Sequence, residues 1–528
     1  MKIILSLVFV LAFINNYGQR TSGGKLKPEQ ANMDMKHYTI ALDIDVNAKT
    51  ISGFSIADFD LLKPATKILL DFADSFNIAQ VKINGKNTAF DYRDNMITLT
   101  NPKQFPAGRT SVTVTYSGKP HVAIRPPWDD GFIWTKDSTG KPWVAVVAEQ
   151  AGGKTFFPCK DHPSDEPDEG GDMIITVPKG LVVAGPGLLV QTKQQKNTTT
   201  FHWKTKYPIN NYSLVFNVAD YKKVSRNYTS VSGKIIPMDF YVLSYHQQHA
   251  AHHLELLERS MHIQEKYFGE YAWANEKVGL AETPHLGMEH QTMNAYGNNF
   301  KYSKLGTSDF DWLMHHELGH EWWGNKVTAN DWADYWIQEG ICNFGDGLAR
   351  RELEGDSGYI EFFKNGALGF QNKKPVVQGK DLDEATAYIG DIYGKGAFFL
   401  HSVRYLIGDS IFFPAIKAFI ADPAYTYGNN VNTDMVEQFF TKRSGINLKP
   451  MFDLFLRTTD RMEVLVTNAR NGYHISVKNL NMDIPLMVTT SEGTKQLTIP
   501  ASKQVIVKSS SLPIIDNDMY YFKRVIYE

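Results

Sequence analysis

The sequence predicts a multidomain α+β chain, and three changes of texture along it carry that prediction. Between about Gln30 and Tyr221, short apolar runs alternate with turn residues, as in HYTIALDIDV, TKILLDF, TSVTVTYSG and NYSLVFNVADY. Segments of that length and alternation read as an N-terminal all-β domain. The period then lengthens: AAHHLELLERSMHIQEKYF sets Leu254, Leu257, Met261 and Ile263 close to one helical stripe, and helical patterns continue through AFFLHSVRYLIG and NTDMVEQFFTKRSG. This is a mainly α domain. From Met462 onward MEVLVTNA, YHISVKNL and KQVIVKSS return to strand patterns and predict a small C-terminal β-domain. The expected divisions are 19–224, 225–459 and 460–528. A chain of 528 residues with 43% hydrophobic content is too long for one core and rich enough to bury several. KQQKNTTTFHWKT reads as a polar hairpin rather than a linker, and no internal repeat of constant period is present.

Charge and cysteine usage narrow the class. Lys+Arg 55 against Asp+Glu 57 leaves a formal net charge of -2, which gives no field for gathering nucleic acid or an anionic membrane. The opening MKIILSLVFVLAFINNYGQR has one Lys, an apolar run from Ile3 to Ile14 and a small residue at Gly18, the shape of a secretory signal peptide over residues 1–18. The run is shorter than the roughly 18 apolar residues that span a bilayer. The expectation is an exported protein, periplasmic or extracellular, and not an integral membrane protein once the signal is removed. Only Cys159 and Cys342 occur, so no disulfide framework accompanies export, and two buried thiols are expected rather than a bridge.

The chemistry concentrates in MHHELGHEWWGNKV, Met314 to Val327. Residues i and i+4 share a helix face, so His316 and His320 project side by side and can ligate one divalent cation, most naturally zinc. Glu317, turned about 100° around the helix, stands beside the metal and can take a proton from water held there. His315 and His320 are i, i+5 and lack a glutamate in the base position, so His315 is a packing or hydrogen-bonding neighbour. Glu321 and the two tryptophans are read as structural. A catalytic zinc needs a third protein ligand and an open position. A third histidine of the metzincin kind is excluded, because the places it requires hold Trp323 and Lys326. WADYWIQEGICNF supplies Glu339, with eighteen residues between it and His320. A carboxylate among Trp336, Ile337 and Ile341 would be costly to bury without a cation. Asn343, one turn on, is a candidate partner for a ligand histidine. The histidines of HQQHAAHH (His246, His249 and His253) have helical spacing but no converging carboxylate or cysteine nearby in sequence, and are expected as a solvated or capping face rather than an accessory metal site.

With HExxH, the eighteen-residue spacer and WIQEG, the chain resembles the aminopeptidase N family of gluzincin zinc metallopeptidases, and the resemblance extends to other motifs. LGMEHQT places Gly287, Met288 and Glu289 on the family's Gly-x-Met-Glu-Asn strand, with His290 in the place of Asn and Leu286 in that of Gly. The resemblance implies that Glu289 binds the substrate's free α-amino group. VAEQAGGKTFFPCKDHPSD matches FPCxDxP and, counted back, brings Glu149 to a second amine-contacting position, with Gln150 as the competing choice. AYIGDIYGKGAFFL places Tyr393 on the tyrosine that donates to the oxyanion, with Tyr388 as a secondary tyrosine. The family likeness also implies a thermolysin-like catalytic domain, one Zn(2+) per chain, peptide substrates with a free N-terminus, and a more open cleft where relatives continue into a large helical domain. A thermolysin-like endopeptidase and an inactive family-shaped binding protein are the competing readings. Oligomeric state, preferred first residue and substrate length are not set by the sequence.

Overall fold

The computed structural model describes residues 21–528, so the expected signal peptide lies outside the described residues. The N-terminal part is β-rich, with only the short helix Pro28–Ala31 and two single 3-10 turns among the described residues, and is built around an eight-stranded sheet. In spatial order its strands are Leu188–Gln194, Thr198–Thr205, Gly171–Pro178, Met33–Asp45, Thr50–Leu61, Gly108–Gly118, Phe76–Ile83 and Lys86–Asn87. Burial alternates along Gly171–Pro178 and Thr198–Thr205, as period-two side chains on a half-covered sheet require. The pair Leu188–Gln194 and Thr198–Thr205 is the hairpin read from KQQKNTTTFHWKT. A second, four-stranded sheet (Val182–Ala184, Asn217–Ala219, Pro142–Val147, Gly131–Lys136) shares one core with the first, through Phe132, Phe156, Phe157 and Phe216.

Sheet membership changes at Asp220. Tyr221–Thr229 pairs with Ile235–Leu243, which runs parallel to Val278–Glu282; Asn294–Tyr296 and then Gly287–Met288 complete a five-stranded sheet. Gly287–Met288 is therefore an edge strand. The helix Gln247–Phe268 packs on this sheet with Leu254, Leu257, Met261 and Ile263 buried, the stripe read from sequence. His253 on the same helix is also fully buried, against the rings of Phe240 and Tyr296. The expectation of a solvated histidine face thus fails at this position, because the apolar stripe passes through it. His246 finds a distant carboxylate, Glu282, at 2.7 Å.

Two helices carry the motif and the distal glutamate. Trp312–Gly319 is capped by the Asp311 side chain, which accepts from Met314 N, and Asp311 is itself held by the Tyr296 hydroxyl at 2.7 Å. Trp336–Gly366 crosses it, broken at Gly355, where φ is 76°. The C-terminal segment forms two small sheets, one built on Met462–Ala469 and Gly472–Lys478, the other on Ile484–Thr490 and Gly493–Ile499. It has no core of its own: Met462, Val464 and Tyr521 belong to the same buried cluster as those two helices, and Tyr405 stacks on Tyr520 at 3.8 Å. Both cysteines are free and buried.

Candidate functional site

His316 lies in the last turn of Trp312–Gly319, and His320 is the residue that closes it, still in the right-handed helical region at φ -64° and ψ -18°. The i, i+4 relation therefore holds, and the two Nε2 atoms lie 3.3 Å apart. Glu339, in the first turn of Trp336–Gly366, brings Oε2 to 3.4 Å from His316 Nε2 and 3.3 Å from His320 Nε2.

These three separations fit a metal. Ligand atoms at about 2.05 Å from a tetrahedral zinc stand about 3.3 Å from one another. Each ring is also turned to offer Nε2: His320 Nδ1 donates to the Trp323 carbonyl at 2.9 Å, and His316 Nδ1 donates to Asp346 Oδ2 at 2.9 Å. A carbonyl and a carboxylate can only accept, so the neutral tautomers carry the proton on Nδ1 and leave Nε2 bare. Glu339 Oε2 is buried without a hydrogen-bond partner, an orphan that a cation would satisfy. Asp346, not Asn343, is the residue that orients His316.

The local field favours a cation. Burial pulls the His316 imidazole down, yet Asp346 and Glu339 outweigh it and hold the ring well above its ordinary range. Burial acts likewise on His320, opposed by Cys342, Glu289 and Glu339. Burial and then the Glu289 carboxylate push Glu317 up to about 8. Glu289, Glu317 and His320 offer atoms within 4.8 Å of one another, so two carboxylates share one corner with a histidine of the motif.

A cleft of about 220 Å³ opens over these groups and is lined by the motif residues, Gly287, Met288, Glu289, Glu149, Gln150, Tyr388 and Tyr393. His316, His320, Glu339, Glu317, Tyr393, Glu289, Glu149, Gly287 and Met288, singled out from sequence, all line it, and Asn343 does not. A Cβ at Gly287 would fall 2.6 Å from both Glu317 Oε1 and Leu313 Cδ1, so a larger residue there would have to displace the ends of those two side chains. Glu289 and Glu149 are each held by a tyrosine, Glu289 by the Tyr212 hydroxyl at 3.2 Å and Glu149 by that of Tyr335 at 3.0 Å. Burial and the charge of Glu289 raise Glu149 well above the usual carboxylate range. Glu321 accepts from Thr292 N at 2.8 Å, and Asn325 donates to the Glu289 carbonyl at 2.9 Å, so the turn after the motif clamps the segment, just past the edge strand, that carries Glu289. Tyr393 donates to Glu339 Oε1 at 2.6 Å, Tyr388 donates to the same atom at 3.0 Å, and the two hydroxyls also meet each other. Burial and Glu339 keep the Tyr393 phenol protonated far above neutrality, so it stays a donor. His315 is buried on the opposite side, with Nε2 at 3.2 Å from Gln264.

The peptidase M1 N-terminal domain matches residues 34–213 and the peptidase family M1 domain matches residues 252–455. The chain belongs to peptidase family M1. Among M1 relatives, the "Aminopeptidase N" of Haemophilus influenzae is 22% identical over 524 residues, covering 90% of this chain and 57% of its own length. The "Leucyl aminopeptidase" of Saccharolobus solfataricus is 21% identical over 479 residues, 86% of this chain and 58% of that protein. The chain spans about half the length of the curated relatives it matches. Its fold is like that of the M1 zinc metallopeptidase from Deinococcus radiodurans, at a TM-score of 0.67 and 20% identity, covering 80% of this chain and 93% of that one.

Sequence reasoning missed several residues that build the M1 site. Asp346 lies seven residues after Glu339, two turns on along the same face, so helical periodicity was a usable signal. Tyr335 lies four before Glu339 and was legible in the same way. From the β domain, Tyr212 reaches Glu289 and the loop containing Pro127 and Trp128 reaches the cleft, and nothing local in the sequence marks them.

Proposed function

We propose that this protein is a zinc-dependent aminopeptidase that removes the N-terminal residue from peptides, with one zinc per chain held by His316, His320 and Glu339. The observation that carries this reading is the position of Glu289. A buried carboxylate within 4.8 Å of the base and a ligand, fixed by Tyr212, is a receptor for a cation on the substrate beside the scissile bond. An internal peptide bond offers no such cation, which disfavours the endopeptidase reading.

When bound, zinc supplies Lewis acidity that polarises the scissile carbonyl and makes a water acidic near neutrality. Glu317 takes the proton from the attacking water and delivers it to the leaving nitrogen. Tyr393 donates to the oxyanion from the other side of the carbonyl. Glu289, with Glu149, grips the α-ammonium, so only the first peptide bond is in register with the base. The full set of ligands, base and phenol supports an active enzyme over a binding protein. The apolar run Ile3–Ile14 supports export to the periplasm or outside the cell. Among the described residues no helix is long and apolar enough to cross a membrane.

The test compares an aminoacyl-anilide with its N-acetylated form on the zinc-loaded chain. Cleavage of the free amine alone, abolished in Glu289→Ala, is the expected result. Equal cleavage of both forms refutes the aminopeptidase reading.

A further inference from the structure

Ten tryptophans occur in the chain, and Trp128 is the one left exposed, at 53%. It sits in a loop of the β domain whose base is closed by Phe132 N donating to the His121 carbonyl at 2.7 Å and Ala123 N donating to the Phe132 carbonyl at 3.1 Å. Gly131 allows this closure: its φ is 132°, and a Cβ there would fall 2.6 Å from the His121 oxygen. Asp129 accepts from Ile124 N across the loop, and buried Asp130 accepts from Ala151 N, two residues past Glu149. The loop is thus braced within itself and tied to the turn that carries Glu149. Its apolar tip is held in place, not left to fold back into a core.

The tip faces the catalytic cleft, where Pro127 and Trp128 line the same cavity as Glu149, Gln150, Met288 and Glu289. Of the two carboxylates assigned to the amine, Glu289 shares a corner with Glu317, and Glu149 lies on the turn to which the Trp128 loop is tied. The side chain of the first residue leaves the peptide between the amine and the scissile carbonyl, and the apolar groups lining the cavity that holds Glu149 and Glu289 include Pro127, Trp128 and Met288. A basic side chain would need a carboxylate of its own, whereas Glu149 is held by Tyr335 and Gln150 is neutral.

Resting on the aminopeptidase reading, we infer that Trp128, with Pro127, is a specificity-determining wall of the pocket for the substrate's first side chain, and that the pocket takes large apolar or aromatic side chains. An exposed indole pre-positioned over a cleft gains by being covered, and such a face discriminates by the apolar surface the substrate brings.

The experiment profiles leucyl-, phenylalanyl-, alanyl- and arginyl-anilides on the zinc-loaded full chain and its Trp128→Ala and Trp128→Phe variants. Trp128→Ala is expected to lower kcat/KM for the leucyl and phenylalanyl substrates by roughly tenfold or more, with the alanyl substrate changed by less than about twofold. Trp128→Phe is expected to restore most of the difference. A fall by one common factor on all four substrates, no fall at all, or a fall confined to the arginyl substrate overturns the inference. Calorimetric binding of free L-leucine and L-alanine gives a readout independent of turnover. Selective loss of leucine binding in Trp128→Ala upholds the pocket even if the wild type hydrolyses nothing, in which case the aminopeptidase reading alone has failed. Unchanged leucine binding overturns it.

Discussion

Removing the Asp346 carboxylate tests the metal site through a residue that touches no metal. Asp346 is 5% exposed, and its Oδ2 is the acceptor for His316 Nδ1 at 2.9 Å. In Asp346→Ala the Nδ1–H is left in a buried environment without an acceptor, which costs about 1–3 kcal/mol. The ring can escape that cost by moving its proton to Nε2, the atom that must be bare to ligate. Either route weakens the metal by a similar amount, and orienting groups of this kind commonly contribute 10–100-fold in affinity, about 1.4–2.8 kcal/mol. Asp346→Asn retains an acceptor oxygen but loses the charge and is expected to fall between the wild type and the alanine variant. The assay is competition for zinc against a chromogenic chelator of known affinity, with circular dichroism to verify the fold. A folded Asp346→Ala protein with wild-type zinc affinity would refute the assignment of His316 as a ligand held through Nδ1.

Two further outcomes follow from contacts at and near the cleft. Tyr393→Phe should lower kcat by roughly 10²–10³-fold with little change in KM, the loss expected of an oxyanion donor, and Tyr388→Phe should lower it less; steady-state kinetics that reverse this order would exchange the two tyrosines' roles. Glu166, buried between the β domain and Thr328, is pushed by burial up to about 8. Its folded value is thus raised above the unfolded value of about 4.3, so its contribution is fully present below pH 4.3 and is lost as pH rises toward 8. Thermal unfolding of Glu166→Gln should therefore show a smaller fall in Tm than the wild type between pH 5 and 8, and parallel curves would contradict the shift.

What the sequence made legible is what helical and strand periods determine locally. His316, His320 and Glu317 follow from positions on a single helix, and Glu339 from the cost of burying a carboxylate among Trp336, Ile337 and Ile341. The partner of His316 depends on how two helices cross. Asn343 is one turn from Glu339 and Asp346 two turns, and only the packing of Trp336–Gly366 against Trp312–Gly319 brings the second to Nδ1. His253 shows the opposite error: a polar residue type suggested solvent, but its place on the buried stripe puts it against Phe240 and Tyr296. Tyr212 and Trp128 belong to the β domain and meet the catalytic residues only after the chain has folded over them, so no local pattern announces them.

The central claim is that Glu289 turns a zinc hydrolase into an enzyme that counts from the N-terminus. The most direct measurement is a mass-spectrometric time course on a hexapeptide of defined sequence incubated with the zinc-loaded chain. The account predicts a ladder of products shortened one residue at a time from the N-terminus, with every C-terminus intact. Early internal fragments, or shortening from the C-terminus, would contradict it.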